Sequence, residues 1–427
     1  MRTITVVGLG YVGLPLACLC AEKGNKVYGL DVDKNKVGLI SKGESPIDDE
    51  YLVGKLKSLN NRIHATIDAG ECIPDSDVVI VCVPTPVDKN NSPDLTALME
   101  SVSSVSKHIR QGALLVIEST IYPGTIEEIV LPILKKEKFD AYSNDIFVAH
   151  CPERIDPGNK KWTIEILPRV VGGITKESTR KAADFYATII TAGIMQLSSV
   201  KAAEATKIME NTFRDVNIAF VNEMAQSFDA AGIDIIEVIR GASTKPFAFM
   251  PHYPGAGVGG HCISVDPYYL IEKAKQLGFN HRFLLLAREI NNGMPKYAVE
   301  LLEQQLKKLK KQIKGAKVGV LGIAYKADVD DIRESPAFEI IHNLRAKGAE
   351  VFVFDPHVRK GSSVKDVDEL LIKSDYIILA TDHCEFRKMD LESLRRHKIR
   401  AFIDGRNCLD KEKIKSMGIL YHGIGRF

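Results

Sequence analysis

The sequence predicts an α/β protein in which two Rossmann-like, doubly wound domains are joined by a long central helical region. Three observations carry this expectation. Short apolar strands alternate with helical patterns at the start of the chain, which implies a parallel sheet with helices on its faces. The same trio occurs near both ends: a strand running into glycine, a strand ending in Asp, and an Asp followed by an apolar strand. Between them, Ser198 to Ala231 reads as one uninterrupted helix rich in Ala, Glu, Lys and Met.

Ile4 to Gly8 is a short buried strand, Val27 to Asp31 a second, and DVVIVCV (77–83) a third. A further apolar run, Ala113 to Ile117, ends in polar Glu118-Ser119-Thr120. Sheets of this kind place ligands at the carboxyl ends of their strands. The helix from Ser198 exceeds the usual globular length, and a helix that long commonly bridges domains or pairs with a copy of itself, so a homodimer is expected. A glycine-rich loop, Pro254 to Cys262, follows, and then more helix to about Leu309. The lysine-rich LKKLKKQIKGAK (306–317) is the expected linker; as an isolated basic run it reads as a solvated face. After it, KVGVLG (317–322) echoes TVVGLG (5–10), EVFVFDP (350–356) echoes KVYGLDV (26–32), and DYIILAT (375–381) echoes Asp77 to Val83. The spacings differ, which makes this shared architecture and not a strict repeat. The predicted domains are 1–197, 198–309 and 310–427.

With 427 residues, of which 45% are hydrophobic, the chain can bury more than one core. A formal net charge of +2 gives no bulk attraction to nucleic acid or membrane. No apolar run reaches the length of a membrane span. The first residues, MRTITVVGLGYVGLPL, have ordered glycine spacing, lack a small-residue cleavage site and are soon followed by Glu22 and Asp31, so they read as a strand entering a fold and not as a signal peptide. A cytoplasmic protein is expected. The eight cysteines are scattered and make no C-x-x-C pair. Cys18, Cys20 and Cys82 lie in apolar runs as small core residues. Only Cys262 sits among glycines and polar groups.

Gly8-Leu9-Gly10-Tyr11-Val12-Gly13 fits G-x-G-x-x-G directly after a strand. Gly8 permits the tight turn, Gly10 lets the backbone approach a pyrophosphate, and Gly13 allows close packing of helix on strand. The following helix offers its N-terminal N–H groups to phosphate. Asp31 ends the second strand about 20 residues on, where a carboxylate accepts both ribose hydroxyls and repels a 2′-phosphate; the expected cofactor is NAD. Pro84-Thr85-Pro86 stiffens the turn after the third strand and brings Thr85 within reach of a cofactor, although a plain turn would look the same.

Lys207 and Asn211 stand four apart on the long helix and share a face. Both can donate hydrogen bonds to an oxygen that gains negative charge as a hydride leaves. The same pair is common on solvated helices, so its context decides. That context is Gly259-Gly260-His261-Cys262-Ile263-Ser264-Val265-Asp266. A cysteine at such a turn is held as a thiolate when a helix N-terminus or cation is near. Asp266 can act as a base through a bound water. A zinc reading of His261 and Cys262 lacks two further spaced ligands.

Assembled, these residues resemble the UDP-glucose/GDP-mannose dehydrogenase family from GLGYVGLPLA (8–17) to FIDGRN (402–407), essentially end to end. GAGVGGHCISVDPYYL (255–270), CPERIDPG (151–158) and STKPFAFMP (243–251) are similar to the branch acting on UDP-N-acetylhexosamines, and Arg154-Ile155 stands where UDP-glucose members tend to carry Phe-Leu. NTFRDVNIAFVNE (211–223) resembles the N-acetylmannosamine enzymes, and STKPFAFMP the N-acetylglucosamine ones. The resemblance implies that Gly8, Gly10, Tyr11, Val12, Gly13, Asp31, Lys36, Thr85, Thr120 and Arg333 hold NAD. It implies catalytic positions at Thr120, Glu153, Lys207, Asn211, Cys262 and Asp266. Substrate contacts would fall on Glu153, Arg154, Lys207, Asn211, Tyr253, Gly257, Lys326 and Arg406; arginine suits phosphate through its planar fork. The implied reaction is a four-electron oxidation at C6, with Cys262 forming a thiohemiacetal and then a thioester.

Two other readings compete. A two-electron hydroxyacid dehydrogenase shares the glycine fingerprint and the Lys-x-x-x-Asn helix but lacks the GGHC loop and the second nucleotide domain. A non-catalytic NAD-binding or redox-sensing protein needs no combination of Lys207, Asn211, Cys262 and Asp266.

Overall fold

A computed structural model describes residues 1–47, 50–59, 62–88, 92–155, 161–260 and 262–427. The chain divides into two compact units, Met1–Glu210 with Tyr268–Gly278, and Asn211–Pro267 with Phe279–Phe427.

Among the described residues the first unit has eight strands: β1 (Thr3–Val7), β2 (Lys26–Leu30), β3 (Ile63–Thr66), β4 (Val78–Val81), β5 (Leu114–Ile117), β6 (Phe147–His150), β7 (Arg169–Gly173) and β8 (Ile194–Gln196). Their order in the sheet is β3-β2-β1-β4-β5-β6-β7-β8. Every pairing is parallel except β6 with β7. The central strands β4 (VVIV) and β5 (LLVI) are buried throughout, because helices cover both faces and leave no polar alternation to read. The helix Gly13–Glu22 buries eight of its ten residues, Leu14, Leu16 and Leu19 among them. The strand expected third is in fact the fourth. Ile63–Thr66 precedes it and was not foreseen: it is four residues long and carries an exposed His64, so it offers neither an apolar run nor a long alternation.

The second unit holds β9 (Lys317–Leu321), β10 (Glu350–Phe354), β11 (Tyr376–Leu379), β12 (Ala401–Asp404) and β13 (Leu420–Gly423). They form an all-parallel sheet in the order β10-β9-β11-β12-β13. The order about β9 repeats that about β1, so the echo between the ends of the chain is a real repetition of architecture. Val318, Val320, Ile340, Leu344, Ile378 and Ile403 fill its core together with Ala298, Leu301 and Leu302 from the helix Arg282–Lys308. That helix runs through Lys308, so the first part of the expected linker is helical and the connection shortens to 309–316.

The expected long helix spans Val200–Ala231, 32 residues. Among the described residues no helix is long and apolar enough to cross a membrane.

Candidate active site

In the first unit the turn after β1 is set by Gly8, whose φ of 91° belongs to the left-handed region and whose added Cβ would lie 2.8 Å from Cys82 O. A Cβ on Gly13 would fall 1.9 Å from Gly8 O, so only glycine lets the helix start this close to the strand. Gly10 has nothing within 4 Å of its missing Cβ, which leaves its backbone open to an approaching phosphate. Tyr11 is exposed and Val12 half-buried beside it. Asp31, just past β2, accepts the Leu9 N–H (2.8 Å) and pairs with Lys36 Nζ (3.2 Å). Its other oxygen accepts the Asp33 N–H at 2.9 Å. An open glycine backbone at a helix N-terminus, with a strand-end carboxylate beside it, fits the pyrophosphate and ribose of NAD.

The loops after β4 and β5 are pinned to each other: Thr85 Oγ1 donates to Thr120 O at 2.7 Å, and Ser119 Oγ to Val83 O at 2.8 Å. Tyr269 donates its hydroxyl proton to Thr85 O. Beyond Thr120, the buried Glu204 on the long helix accepts the N–H groups of Gly124 (2.6 Å) and Ile126 (2.9 Å). Burial pushes this carboxyl up to about 7, against the pull of those N–H groups.

One turn further along the helix, Lys207 Nζ donates to Glu153 O at 2.6 Å. The Glu153 side chain is buried; its Oε1 accepts the N–H groups of Arg154 and Ile155, each at 2.6 Å. Its Oε2 lies 2.7 Å from Nη1 of Arg169, a side chain with no exposure at all. Arg154 pairs with Glu210 (2.7 Å) and donates to Pro168 O (2.9 Å). His150, at the end of β6, has its pKa lowered by burial to about 3 and is neutral.

In the second unit Cys262 is half-buried. Its carbonyl accepts the N–H groups of Val265 (3.1 Å) and Asp266 (2.7 Å), which makes it the first residue of the turn that opens the helix Asp266–Gln276. Asp266 is 2% exposed and accepts a short hydrogen bond from Asn211 Nδ2. The glycines before the thiol are dictated by packing. A Cβ on Gly259 would meet Glu334 O at 2.6 Å, one on Gly260 the Tyr325 ring at 2.7 Å, and one on Gly257 Pro336 Cβ at 2.8 Å. Gly260 also donates its N–H to Arg333 O at 3.0 Å. The Arg333 guanidinium is held above its ordinary pKa, chiefly by its hydrogen bond to Asp331, with a smaller contribution from the Cys262 sulfur. Arg333 is thus a cation within electrostatic reach of the Cys262 sulfur. Arg406 donates from Nε to Ala380 O (2.8 Å) and would touch a Cβ on Gly255 at 3.0 Å. Lys326 is half-buried and Tyr253 exposed. His261 lies outside the described residues.

The second sheet keeps the first one's turn but not its opening. Gly322 has φ 88°, donates to Phe354 O at 2.9 Å, and Ile323 N–H reaches Asp355 Oδ2 at 2.7 Å, as Leu9 reaches Asp31. There the likeness stops. Ala324 stands where Gly10 stands, and Asp355 is fully buried. It also accepts from Ala324 N (2.9 Å), His357 N (2.8 Å), Val358 N (3.0 Å) and His383 Nε2 (3.0 Å). Burial works against its ionisation, but the His383 hydrogen bond and these N–H groups hold it below the usual carboxylate range. That carboxylate is consumed by the fold, which leaves it unable to grip a ribose.

Sequence reasoning missed Arg169, Tyr186 and Glu204, and saw Glu118 only as the polar end of a strand. A buried charge leaves no mark in composition or periodicity. The one available signal was Arg169 opening the otherwise apolar RVVGG of β7.

The fold and the glycine turn with Asp31 define an NAD-dependent dehydrogenase. The NAD binding domain of the UDP-glucose/GDP-mannose dehydrogenase family matches residues 2–190, its central domain 201–293 and its UDP binding domain 319–411. The UDP-N-acetyl-D-glucosamine 6-dehydrogenase of Pseudomonas aeruginosa is 37% identical over 92% of this chain and 93% of its own. The UDP-N-acetyl-D-mannosamine dehydrogenase of Pyrococcus horikoshii is 37% identical over 99% of both. The solved structure of the Pyrococcus horikoshii UDP-D-ManNAc dehydrogenase matches with a TM-score of 0.93 at 35% identity, covering 100% of this chain and 99% of that one. The chain belongs to the UDP-glucose/GDP-mannose dehydrogenase family, and it is an NAD-dependent UDP-sugar dehydrogenase.

Proposed function

We propose that the chain oxidises C6 of UDP-N-acetyl-D-mannosamine from alcohol to carboxylate, giving UDP-N-acetyl-D-mannosaminuronate. The observation that carries the four-electron reading is Cys262 at the mouth of a helix, beside Arg333 and four residues from an Asp266 already bonded to Asn211. An alcohol dehydrogenase that stops at the aldehyde has no use for a thiol so placed. NAD, held by Gly8, Gly10, Gly13, Asp31 and Lys36, supplies the hydride acceptor for both oxidations.

Asp266 and Thr120 hold the water that takes the alcohol proton, and Lys207 and Asn211 donate hydrogen bonds to the oxyanion. Cys262 thiolate adds to the aldehyde carbon and forms a thiohemiacetal, which becomes a thioester in the second oxidation. Glu153 takes a proton from water; the water oxygen bonds to the thioester carbon, the C–S bond breaks, and Cys262 leaves as thiolate. Lys326 and Arg406 bind the UDP phosphates, with Arg154, Tyr253 and Gly257 on the sugar side. The reading also has the enzyme working in the cytoplasm as a homodimer. The helix Val200–Ala231 supports pairing, since its Met209, Phe213 and Phe220 are exposed.

The mannosamine epimer is favoured by segment 211–223 and by the 0.93 TM-score to the Pyrococcus horikoshii enzyme. Segment 243–251 and the equal 37% identity to the Pseudomonas aeruginosa enzyme favour UDP-N-acetyl-D-glucosamine as the second reading. Comparing kcat/KM for the two epimers and UDP-glucose decides between them. The proposal requires the mannosamine sugar to lead by about tenfold or more, or about 1.4 kcal/mol; a lead for the glucosamine sugar overturns it.

A further inference from the structure

Behind Glu153 lies a buried cluster that the reaction scheme does not use. Arg169, the first residue of β7, has no exposed surface, and its Nη1 lies 2.7 Å from Glu153 Oε2 and 3.7 Å from Glu118 Oε2. Glu118, directly after β5, is 2% exposed, and its Oε1 accepts the hydroxyl of Tyr186, the last residue of the helix Lys176–Tyr186. Among the described residues none of the three guanidinium nitrogens of Arg169 makes a hydrogen bond, nor does Glu153 Oε2. The guanidinium is therefore held by charge, between two carboxylates that would otherwise repel each other. Burying it is costly unless that charge is required, and apolar packing would serve stability at least as well.

We propose that Arg169 is the positioning residue of Glu153 and that Glu118 is its buried proton partner, the two carboxylates sharing one guanidinium. The proposal rests on Glu153 being the base of thioester hydrolysis. Arg169 sets its positive charge 2.7 Å from Oε2, while the Arg154 and Ile155 N–H groups fix Oε1. The proton that Glu153 takes from water passes to an ionised Glu118, which returns Glu153 to its basic form, and goes back through Glu153 to solvent water once the product has left. Burial pushes Glu118 up to about 7 against the pull of Arg169, so it can hold or release a proton near neutrality. The other groups facing the cluster do not titrate in that range. Burial raises the thiols of Cys20, Cys82 and Cys151 and the phenol of Tyr186 well above it, and lowers His150 to about 3. Lys207 is directed to the Glu153 carbonyl. Two coupled carboxyls give two macroscopic steps, and both should be visible in turnover.

The test is the pH dependence of kcat, followed by NADH formation from the UDP-N-acetylhexosamine that the wild type turns over, in wild type, Arg169→Met, Arg169→Lys, Glu118→Gln and Tyr186→Phe. Wild type should show an acidic limb and a second inflection near neutrality. Arg169→Met should move the neutral inflection up by about one unit or more and lower kcat at pH 7 by at least about tenfold, since the cation no longer favours the charged form of Glu118. Arg169→Lys should return most of that shift. Glu118→Gln should leave one limb and erase the neutral inflection. Should Arg169→Met fail to fold, Glu118→Gln and Tyr186→Phe, which keep size and shape, carry the test on the inflection alone. Folded variants that lose rate but keep both wild-type inflections reduce the cluster to scaffolding and overturn the proposal. A Glu153→Gln enzyme with wild-type turnover overturns it too, but through the role of Glu153 and not that of Arg169.

Discussion

Arg169 Nη1 stands 2.7 Å from Glu153 Oε2, and neither side chain has more than 4% of its surface exposed. A carboxylate so enclosed is oriented before substrate arrives, as a base acting on a single water requires. Glu153→Gln removes the proposed base and keeps the shape. It should let oxidation proceed to the thioester and stop there, so that intact mass after mixing with NAD and UDP-sugar shows about one acyl adduct per chain, on Cys262. A variant that turns over normally with no adduct would remove Glu153 from hydrolysis.

Cys262→Ser replaces the proposed nucleophile, a thiol that adds readily to an aldehyde, with a hydroxyl that is far less reactive at neutral pH. Turnover to the acid should fall by about a thousandfold or more, as when other enzymes lose a covalent nucleophile. NAD binding, measured by fluorescence quenching, should be unaffected, because the glycine turn and Asp31 belong to the other unit of the chain. Full conversion to the acid by this variant would exclude covalent catalysis.

Asp31→Ala takes one acceptor from the Leu9 N–H and from Lys36 and, in the proposed reading, from the cofactor ribose. Hydrogen bonds to a charged group contribute about 1.5–3 kcal/mol, so the Kd for NAD should rise by roughly tenfold to a hundredfold. The mirror change, Asp355→Ala, should leave the Kd for NAD alone and lower Tm, since Asp355 ties together Ile323, Ala324, His357, Val358 and His383. Equal effects of the two on NAD affinity would contradict the division of labour between the sheets.

Glu204 gives a prediction about stability and pH. Its folded pKa is raised to about 7 from an ordinary 4.5. Between those values the native state binds more protons than the unfolded chain, so stability is full below about 4.5 and declines as pH rises towards 7. The loss is on the order of 3 kcal/mol from this group. Glu204→Gln should flatten the fall in urea midpoint between pH 5 and pH 8. An unchanged slope would place the proton elsewhere.

The parts legible in the sequence are those where a missing side chain or a strand end has a fixed meaning. Gly8 and Gly13 fall as spacing requires, since close packing admits only glycine, and Asp31 stands just past its strand, where it accepts the Leu9 N–H of the glycine turn. Gly259 and Gly260 are required by the Arg333–Pro336 segment and Tyr325, neighbours that a single sequence does not name. The strand Ile63–Thr66 was hidden by its length and by His64. Arg169 was hidden for a deeper reason. Its role depends on β5, β6 and β7 lying side by side, with β7 reversed, and a single sequence does not reveal which strands become neighbours.

The central claim is four-electron oxidation through Cys262, and the most direct measurement is the NADH formed from a limiting amount of UDP-N-acetylmannosamine with excess NAD, run to completion. Two NADH per sugar and a carboxylate product are expected. One NADH per sugar, with the aldehyde accumulating, would contradict it and remove the thioester from the mechanism.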